Sequence, residues 1–352
     1  MKPTIHILGF GALGRLFASK LKLRGDQDVR IITRRTLPSS SISCTYIDAQ
    51  GYHHDQTFPH ISIHHINEDI SRLLVFTKSY QVINALDTFF TNSSSSSSLL
   101  LGVICNGLGV EEELLASPVF HRYTRDREVS LMLGSTTMGA LKEGEGVRET
   151  GQGTIFLGPS SFNTTLYLQN TKPSTELLMS ELTIKHAFER IIDYPSSFQW
   201  IQTHPELHKE LLTKVAVNAI INSITALCRF PNGFIFKKST TTLSTQIKDI
   251  YGMGENLAEF VEKYMIHELW QVVEGDVTPK TEAELLAKIN EVATMTSKNR
   301  SSMLCDVESG IRTENKFILG YVLQKAKQKQ VKTPILSTLF HLIEGIDEYS
   351  SL

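Results

Sequence analysis

The stretch Ile5-His-Ile-Leu-Gly9-Phe-Gly11-Ala-Leu-Gly14 decides the fold of the first half of the chain. A short apolar run is broken by three glycines, and apolar residues then return with helical spacing from Leu16 to Leu23. Gly9 permits a sharp turn out of the strand, Gly11 lets a phosphate approach the backbone, and Gly14 lets helix and strand pack closely. The pattern predicts a dinucleotide site rather than a purely structural turn, with these cofactor-binding residues: Gly9, Phe10, Gly11, Ala12, Leu13 and Gly14.

The end of the second predicted strand, Val29 to Thr33, indicates which dinucleotide binds. A carboxylate at this place would hold the ribose hydroxyls of NAD. This chain instead has Arg34 and Arg35, whose guanidinium groups can hold a 2′-phosphate in bidentate fashion. We therefore predict NADP (NADPH) as the cofactor, with Arg34 as a binding residue. The alternative is a pair of arginines that face solvent.

Strands and helices alternate through the rest of the first half, which predicts a parallel sheet with helices on both faces. Buried strands are predicted at Leu73 to Thr77 and Leu99 to Cys105, and a helix between them at Gln81 to Phe90. Val129 to Leu133 and Thr154 to Leu157 are expected to extend the sheet with antiparallel or mixed strands. The serine run Ser93 to Ser98 is expected to be a solvated loop.

Helical periodicity dominates the second half of the chain. It is found at Glu206 to Leu227, Leu243 to Val273, Glu282 to Thr296, Leu304 to Lys329 and Pro334 to Ile346. We predict an NADP-binding Rossmann domain over residues 1–200 and an all-helical substrate and dimerisation domain over residues 201–352. The fold class is thus an α/β Rossmann domain followed by an all-α domain.

Bulk composition favours a two-domain protein that binds small molecules. The 352 residues fit two domains, and a formal net charge of -2 gives no electrostatic reason to expect nucleic acid or an anionic membrane as a partner. The four cysteines are far apart in sequence, and the histidines at positions 53, 54, 60, 64 and 65 share one loop-like segment, so we expect no metal site. These features favour a cytoplasmic protein.

One helix of the second half combines an apolar body with a polar stripe. Lys214, Asn218 and Asn222 are spaced by four and therefore share a face, whereas Val215 and Ile220 are suited to burial. A polar stripe on such a helix needs hydrogen-bonding partners or a water-filled cleft. It marks either a substrate site or a half-exposed surface, and periodicity alone does not decide between them.

Several segments resemble the ketopantoate reductases (2-dehydropantoate 2-reductases) in order and spacing. They are Thr77-Lys78-Ser-Tyr-Gln81, Asn106-Gly-Leu-Gly109, Thr137-Met-Gly-Ala140, Gly151-Gln-Gly-Thr-Ile-Phe-Leu-Gly158, Lys214-Val-Ala-Val-Asn218-Ala-Ile-Ile-Asn222, and Ser301-Ser302-Met-Leu-Cys-Asp306 leading to Thr313-Glu314. The resemblance covers nearly the whole chain, and it implies a helical half like the 6-phosphogluconate-dehydrogenase-like helical domains. The serine run and the long region from Lys237 to Lys298 depart from the family pattern.

The resemblance assigns a role to each matched polar residue. Lys214 would polarise the substrate carbonyl and donate the proton, and Glu314 would be its acidic partner. Substrate binding would fall to these residues: Asn218, Asn222, Ser302 and Asn106. Asn106 and Lys78 would lie beside the nicotinamide ribose. Each residue also has a simpler interpretation, with Ser302 as a helix N-cap, Glu314 as an exposed helix charge and Asn106 as a turn residue.

The function implied by the resemblance is reduction of 2-dehydropantoate to (R)-pantoate with NADPH, in pantothenate and coenzyme A biosynthesis. Reduction of another branched 2-keto acid is the alternative, because one methyl or hydroxyl in a pocket changes discrimination by only about 1–3 kcal/mol. A non-catalytic relative with the same fold is a third interpretation. The expected partner is a small 2-keto acid, and the expected assembly is a monomer or a homodimer.

Overall fold

A computed structural model describes residues 4–24, 27–34, 37–93, 98–125, 127–163, 174–190, 198–237 and 256–350. The chain forms two compact units, residues 1–208 and residues 209–352. Each unit has its own set of secondary-structure elements, α/β in the first and helical in the second.

A single sheet organises the first unit. Its strands in chain order are β1 Thr4–Leu8, β2 Asp28–Thr33, β3 Ser41–Ile47, β4 His53–Ser62, β5 Arg72–Val75, β6 Leu99–Ile104, β7 Val129–Thr136, β8 Gly139–Glu143, β9 Gly146–Gly151, β10 Ile155–Pro159 and β11 Phe198–Trp200. Their order across the sheet is β11-β10-β7-β6-β5-β1-β2-β4-β3-β9-β8. The apolar runs form the central strands, and all six residues of β6 are buried.

The centre of the sheet has the parallel Rossmann order. Strand β1 pairs in parallel with β2 on one side and β5 on the other, so that Ile7 lies beside both Ile31 and Leu74. Strands β4, β6 and β7 continue the parallel region outward. The chain reverses direction across the sheet between β1 and β5, and ligands of such sheets bind at the carboxyl ends of the strands at this point. The predicted Rossmann fold is confirmed.

Two groups of helices accompany the sheet, α1 with α5 and α2 with α3 and α4. Their bounds are α1 Ala12–Arg24, α2 Ser79–Asn92, α3 Val110–Leu115, α4 Pro118–Arg125 and α5 Thr175–Arg190. Aromatic packing joins the first group, since the rings of Phe17 and Phe188 lie 5.6 Å apart. In the second group, the rings of Phe90 and Tyr123 lie 4.4 Å apart.

The segment containing the clustered histidines is a strand rather than a loop. His53, His54 and His60 lie in β4, which pairs antiparallel with β3 and parallel with β2. Gln56 and Phe58 are buried, and the residues between and beside them in β4 are exposed. Because the buried position 56 carries a polar residue, the alternation of apolar and polar residues typical of a strand is hard to recognise in the sequence. Among the described residues, no group of three or more His, Cys, Asp or Glu side chains could hold a metal ion.

A buried ion pair fixes the outer hairpin β8–β9 beside α1. The Lys20 ammonium lies 2.9 Å from a carboxylate oxygen of Glu149, and both side chains are buried. The Tyr46 hydroxyl donates to the same carboxylate over 2.6 Å. The attraction between the two charges and the hydrogen bond from Tyr46 offset part of the free energy needed to remove both charges from water. Helix α1 is therefore tied to β3 and β9 as well as to β1.

The second unit is helical. Its helices are α6 His204–Cys228, which begins in the first unit, α7 Leu257–Phe260, a π-turn Val261–Met265, α8 Ile266–Val273, α9 Glu282–Met295, α10 Ser302–Glu308, α11 Leu319–Lys329 and α12 Pro334–Ser350. Helix α6 is long and apolar enough to cross a membrane, but 78% of its most apolar window is buried inside the protein. A mostly buried core helix of this kind fits a soluble protein.

Of the helices predicted for the second half, one is wrong as a single element and another lies only partly within the described residues. The helix predicted at Leu304 to Lys329 is wrong as one element, because α10 ends at Glu308 and Gly310 adopts a left-handed φ of 62°. A 3₁₀ turn, Asn315–Phe317, follows before α11 begins. The first part of the helix predicted at Leu243 to Val273 lies outside the described residues, and the remainder is helical from Leu257.

The buried carboxylate of Glu268 in α8 caps helix α12. It accepts hydrogen bonds from the backbone amides of Ile335, over 3.1 Å, and Leu336, over 2.8 Å. These amides belong to the first turn of α12, where amides have no partner within the helix. The negative charge also faces the positive end of the helix dipole. One side chain thus joins two helices of the second unit.

Replacement of this cap is expected to destabilise the second unit. Glu268→Gln should lower the free energy of unfolding by about 1–3 kcal/mol, because a buried charged acceptor is lost and an amide group takes its place. Urea unfolding followed by circular dichroism measures the change. Glu274→Gln, which alters an exposed carboxylate just after the same helix, is the matched control. Equal stability of the two variants would contradict the capping role.

Candidate active site

The glycine turn has the geometry of a phosphate cradle. Gly9 adopts a φ of +100°, and a Cβ there would lie 2.8 Å from the carbonyl carbon of Phe76. A Cβ on Gly14 would lie 1.9 Å from the carbonyl oxygen of Gly9, so only glycine fits. A Cβ on Gly11 would meet nothing within 4 Å, which leaves open space beside the first turn of α1. These three environments match the three roles predicted for the glycines and fit a dinucleotide.

Arg15, which the sequence analysis did not identify, stabilises this turn through contacts with Phe10 and Glu145. Its Nε donates to the carbonyl oxygen of Phe10 over 3.1 Å, and its guanidinium lies 4.7 Å from the centre of the Phe10 ring. The same guanidinium donates to the backbone carbonyl of Glu145 and lies 3.2 Å from its carboxylate. Arg15 is only 5% exposed. It therefore fastens the middle of the glycine turn to the β8–β9 hairpin.

Loss of this fastening is expected to weaken cofactor binding. Arg15→Ala should raise the Kd for NADPH about tenfold, the equivalent of about 1.4 kcal/mol, because the turn loses a charge-assisted hydrogen bond that orders it. Fluorescence titration with NADPH measures the change. Arg148→Ala removes an exposed arginine of the same hairpin, paired with Glu143, and serves as control. An unchanged Kd in Arg15→Ala would show that the turn is ordered without it.

Arg34 follows β2 directly and is exposed. Because β1 and β2 are parallel neighbours, Arg34 and the glycine turn lie at the same edge of the sheet. Arg35 lies outside the described residues.

Lys78 and Asn106 lie at the same edge, on the loops that follow β5 and β6. Lys78 precedes the first residue of α2, and the hydroxyl of the next residue, Ser79, donates to the backbone carbonyl of Asn106. Gly107 and Gly109 then adopt φ values of 83° and 101°, which turn the chain into α3. The structure therefore brings the glycine turn, Lys78 and Asn106 to one edge of the sheet, because each follows one of three parallel strands.

A hydrogen-bonded cluster around Glu111 joins this edge to the first residue of α6. The Glu111 carboxylate accepts from the Ser160 hydroxyl over 2.6 Å, from the Ser161 amide and hydroxyl over 2.7 Å each, and from His204 Nε2 over 3.0 Å. Burial alone would raise the pKa of Glu111, but these hydrogen bonds outweigh it and lower the pKa to about 2. The bond with Glu111 in turn raises the pKa of His204.

The two shifts define a pH window for the stability that this pair contributes. The Glu111 contribution is present above pH 4.5 and is lost as the pH falls toward about 2, whereas the His204 contribution is present below pH 6.5 and is lost as the pH rises through its raised pKa. The difference in Tm between wild type and His204→Ala should therefore be largest between about pH 4.5 and 6.5 and smaller at about pH 9. Thermal unfolding across pH measures it.

The control for that experiment is His267→Ala, since His267 pairs with Glu282 at an exposed position. A screened surface pair of this kind contributes little to stability. A Tm difference for His204→Ala that does not vary with pH would contradict an ionic contribution from the pair.

In the middle of helix α6, one lysine and one asparagine interrupt an otherwise buried stretch. From Leu211 to Ala226 every residue is buried except Lys214 and Asn218, which are half-buried. Asn222 continues the same face and is 5% exposed. A helix that is buried all round, apart from one lysine and the asparagine one turn later, does not resemble a half-exposed surface helix.

The second unit also brings Ser302 close to α6. The Thr225 hydroxyl of α6 donates to the Ser301 hydroxyl over 2.7 Å. Ser301 is the N-cap of α10, because its side chain accepts from the amide of Leu304 over 3.1 Å. The simpler interpretation of Ser302 as the cap is therefore wrong, and its exposed side chain is available for another role.

Glu314 is buried, with only 4% exposure, so its interpretation as an exposed helix charge is wrong. Its two neighbours fix the backbone on either side. The Thr313 hydroxyl donates to Asp347 over 2.7 Å, and the Asn315 side-chain amide donates to the backbone carbonyl of Phe340 over 3.0 Å and to Glu344 over 2.8 Å. Carboxylates are seldom buried without a structural or chemical reason.

A Rossmann sheet with a phosphate cradle, together with a helical unit whose longest helix carries a half-buried lysine on an otherwise buried stretch, fits the class of nucleotide-dependent oxidoreductases. Comparison with known proteins identifies the family. The model of "Ketopantoate reductase PanE/ApbA" matches residues 5–161, and that of "Ketopantoate reductase PanE/ApbA C terminal" matches residues 206–347. The chain belongs to the ketopantoate reductase family, it is an oxidoreductase, and its dinucleotide site takes a nicotinamide cofactor.

Relatives resemble the chain over almost its whole length. The 2-dehydropantoate 2-reductase of Salmonella typhi is 27% identical over 340 residues, which cover 97% of this chain and 94% of that protein. The crystal structure of a probable 2-dehydropantoate 2-reductase from Bacillus subtilis is similar, with a TM-score of 0.66, 22% identity and coverage of 97% and 99%. A ternary structure of D-mandelate dehydrogenase with NADH and anilino(oxo)acetate has a TM-score of 0.70, 17% identity and coverage of 99% and 100%.

Proposed function

We propose that this chain reduces 2-dehydropantoate to (R)-pantoate with NADPH, as a step of pantothenate and coenzyme A biosynthesis in the cytoplasm. The observation that carries the proposal is the α6 surface, which is buried over Leu211 to Ala226 except at Lys214 and Asn218. Curated relatives over 97% of the chain are 2-dehydropantoate 2-reductases, and this supports the choice of substrate. The expected assembly is a monomer or a homodimer.

The proposed mechanism divides the work between the two units. The nicotinamide cofactor supplies a hydride when bound at the turn from Gly9 to Gly14. Lys214 polarises the substrate carbonyl oxygen and donates a proton to it. Glu314 is the acidic partner of this lysine.

The remaining polar residues bind and orient. Asn218 and Asn222 hydrogen-bond the hydroxyl end of the substrate, and Ser302 contacts its carboxylate. Asn106 and Lys78 lie beside the nicotinamide ribose, and Asn106 also contacts the substrate. All five are held on helices or on short loops between ordered elements, which keeps the loss of conformational freedom on binding small.

Substitution of the proposed proton donor tests the mechanism. Lys214→Ala should lower kcat by about 10²–10⁴-fold while NADPH binding and urea stability stay close to wild type, because a general acid is lost and the cradle is unchanged. NADPH consumption with 2-dehydropantoate, followed by absorbance, measures the rate. Lys209→Ala, at an exposed position of the same helix, is the matched control. Undiminished turnover in Lys214→Ala would refute the assigned role.

The preference for NADPH depends on Arg34. Arg34→Ala should raise the KM for NADPH about tenfold or more and leave the KM for NADH nearly unchanged, because only NADPH carries the 2′-phosphate. Steady-state kinetics with each cofactor give the ratio, and NADH is the internal control. Equal effects on both cofactors would indicate that Arg34 does not contact the 2′-phosphate.

Reduction of a different branched 2-keto acid is the alternative function. It would use the same cofactor, lysine and fold, and would differ only in the residues that line the pocket. Rates with 2-dehydropantoate, 2-ketoisovalerate and phenylglyoxylate separate the two functions. The proposed function requires the highest kcat/KM for 2-dehydropantoate. A higher kcat/KM for one of the other acids would contradict it and would identify that acid as the better substrate.

A further inference from the structure

A cavity of about 310 Å³ lies in the first unit, between the ends of α2 and α4. Its size reaches the lower end of the range for small-molecule sites, roughly 300–1,000 Å³. Ser93, which lines it, precedes β6, and Arg127, which also lines it, precedes β7. The glycine turn follows β1, and these strands are parallel. The cavity therefore lies at the opposite edge of the sheet from the cofactor cradle.

Two buried hydroxyl groups line this cavity without a hydrogen-bond partner among the described residues. Ser93 and Tyr123 are each only 6% exposed, and neither Ser93 Oγ nor the Tyr123 hydroxyl is bonded. The backbone amide of Ser93 donates to the carbonyl oxygen of Phe89 over 2.8 Å, whereas its side-chain hydroxyl has no partner among the described residues. Buried polar groups are nearly always satisfied in folded proteins. Two such groups facing one cavity indicate a ligand or ordered water between them.

Two arginines supply positive charge to the same cavity. Within the described parts of the chain, neither Arg122 nor Arg127 forms an ion pair with a carboxylate. Glu128, the residue that follows Arg127, instead accepts from the amide of Ser174 over 2.6 Å. Arginine in the last turn of α4 also suits the negative end of that helix dipole. The helix dipole accounts for the presence of an arginine at position 122. It does not account for the two hydroxyl groups that lack a hydrogen-bond partner.

The remaining wall of the cavity is apolar. Phe90 and Val119 line it, and the Phe90 ring packs against the ring of Tyr123. The Arg127 guanidinium lies over the Tyr123 ring, 4.2 Å from its centre, and this contact helps to orient the arginine. Charge, hydroxyl donors and an aromatic wall thus meet in one space.

We propose that this cavity binds a small organic anion. A phosphate or carboxylate group is held by Arg122 and Arg127 and accepts hydrogen bonds from the hydroxyls of Ser93 and Tyr123. An apolar body of about one ring packs against Phe90 and Val119. Because the cavity and the glycine turn lie at opposite edges of the sheet, the anion binds without displacing the cofactor.

Calorimetric titration of the full chain with phenyl phosphate tests the proposal. The titration is run with and without saturating NADPH. This comparison distinguishes binding in the cavity from binding of phenyl phosphate at the glycine turn, where the phosphates of the cofactor would bind. We expect one site per chain with the same affinity in both conditions. Benzoate in parallel identifies which of the two anionic groups is preferred. No binding, or binding that NADPH abolishes, would overturn the proposal.

Single substitutions locate the site. Arg122→Ala and Tyr123→Phe should each weaken phenyl phosphate binding about tenfold, since each removes one hydrogen-bond donor to a charged group. Tyr123→Phe keeps the ring that packs on Phe90, so it preserves the fold. Arg125→Ala, an exposed arginine of α4 that does not line the cavity, should bind like wild type. Equal binding by Arg122→Ala and Arg125→Ala, or equal binding of neutral benzyl alcohol, would refute the anion site.

Discussion

The first unit depends on one close approach, that of the Gly9 carbonyl to the Cα of Gly14. No side chain fits there, since a Cβ would lie 1.9 Å from the carbonyl oxygen. The approach lets α1 begin at Ala12, with only three residues between it and the end of β1, and the space beside Gly11 at the start of the helix is open. The position of α1 then determines where Lys20 meets Glu149 and where Arg15 meets the β8–β9 hairpin. The outer hairpin therefore contributes to the cofactor site through α1, although it lies at the far edge of the sheet.

The second unit is arranged around α6, whose sides are buried by other helices and loops. Thr213 in α6 bonds to Thr278 over 3.2 Å, and Thr225 bonds to Ser301 over 2.7 Å. These hydroxyl pairs fix α6 at two levels against the segments that lead into α9 and α10. The polar face of α6 consequently has a defined rotation about the helix axis. Lys214 and Asn218 are half-buried on this face, whereas the positions around them on the helix are buried.

Sequence patterns were sufficient where they were local and strongly periodic. The run Ile5 to Leu8, the glycines that follow it and helix α6 fall in this class, and all three lie where periodicity placed them. Strand β4 was missed because its outward positions carry histidines, so the inward Gln56 and Phe58 did not stand out. The break after Glu308 was missed because its stabilising partner, Asp347, is 34 residues away from Thr313. The contributions of Arg15 and Glu111 depend on partners 130 and 93 residues away, and no local pattern reports such pairs.

Helix α6 belongs to both units, because the division of the chain falls between His208 and Lys209, inside it. A chain cut at that point would break a continuous helix and would leave the buried Leu211 and Leu212 at a new terminus. The two halves therefore cannot be inherited or exchanged as independent modules in the way that domains joined by a flexible linker can. Insertions that diversify this protein are expected to accumulate in surface loops, and recombination within the helix is expected to be selected against.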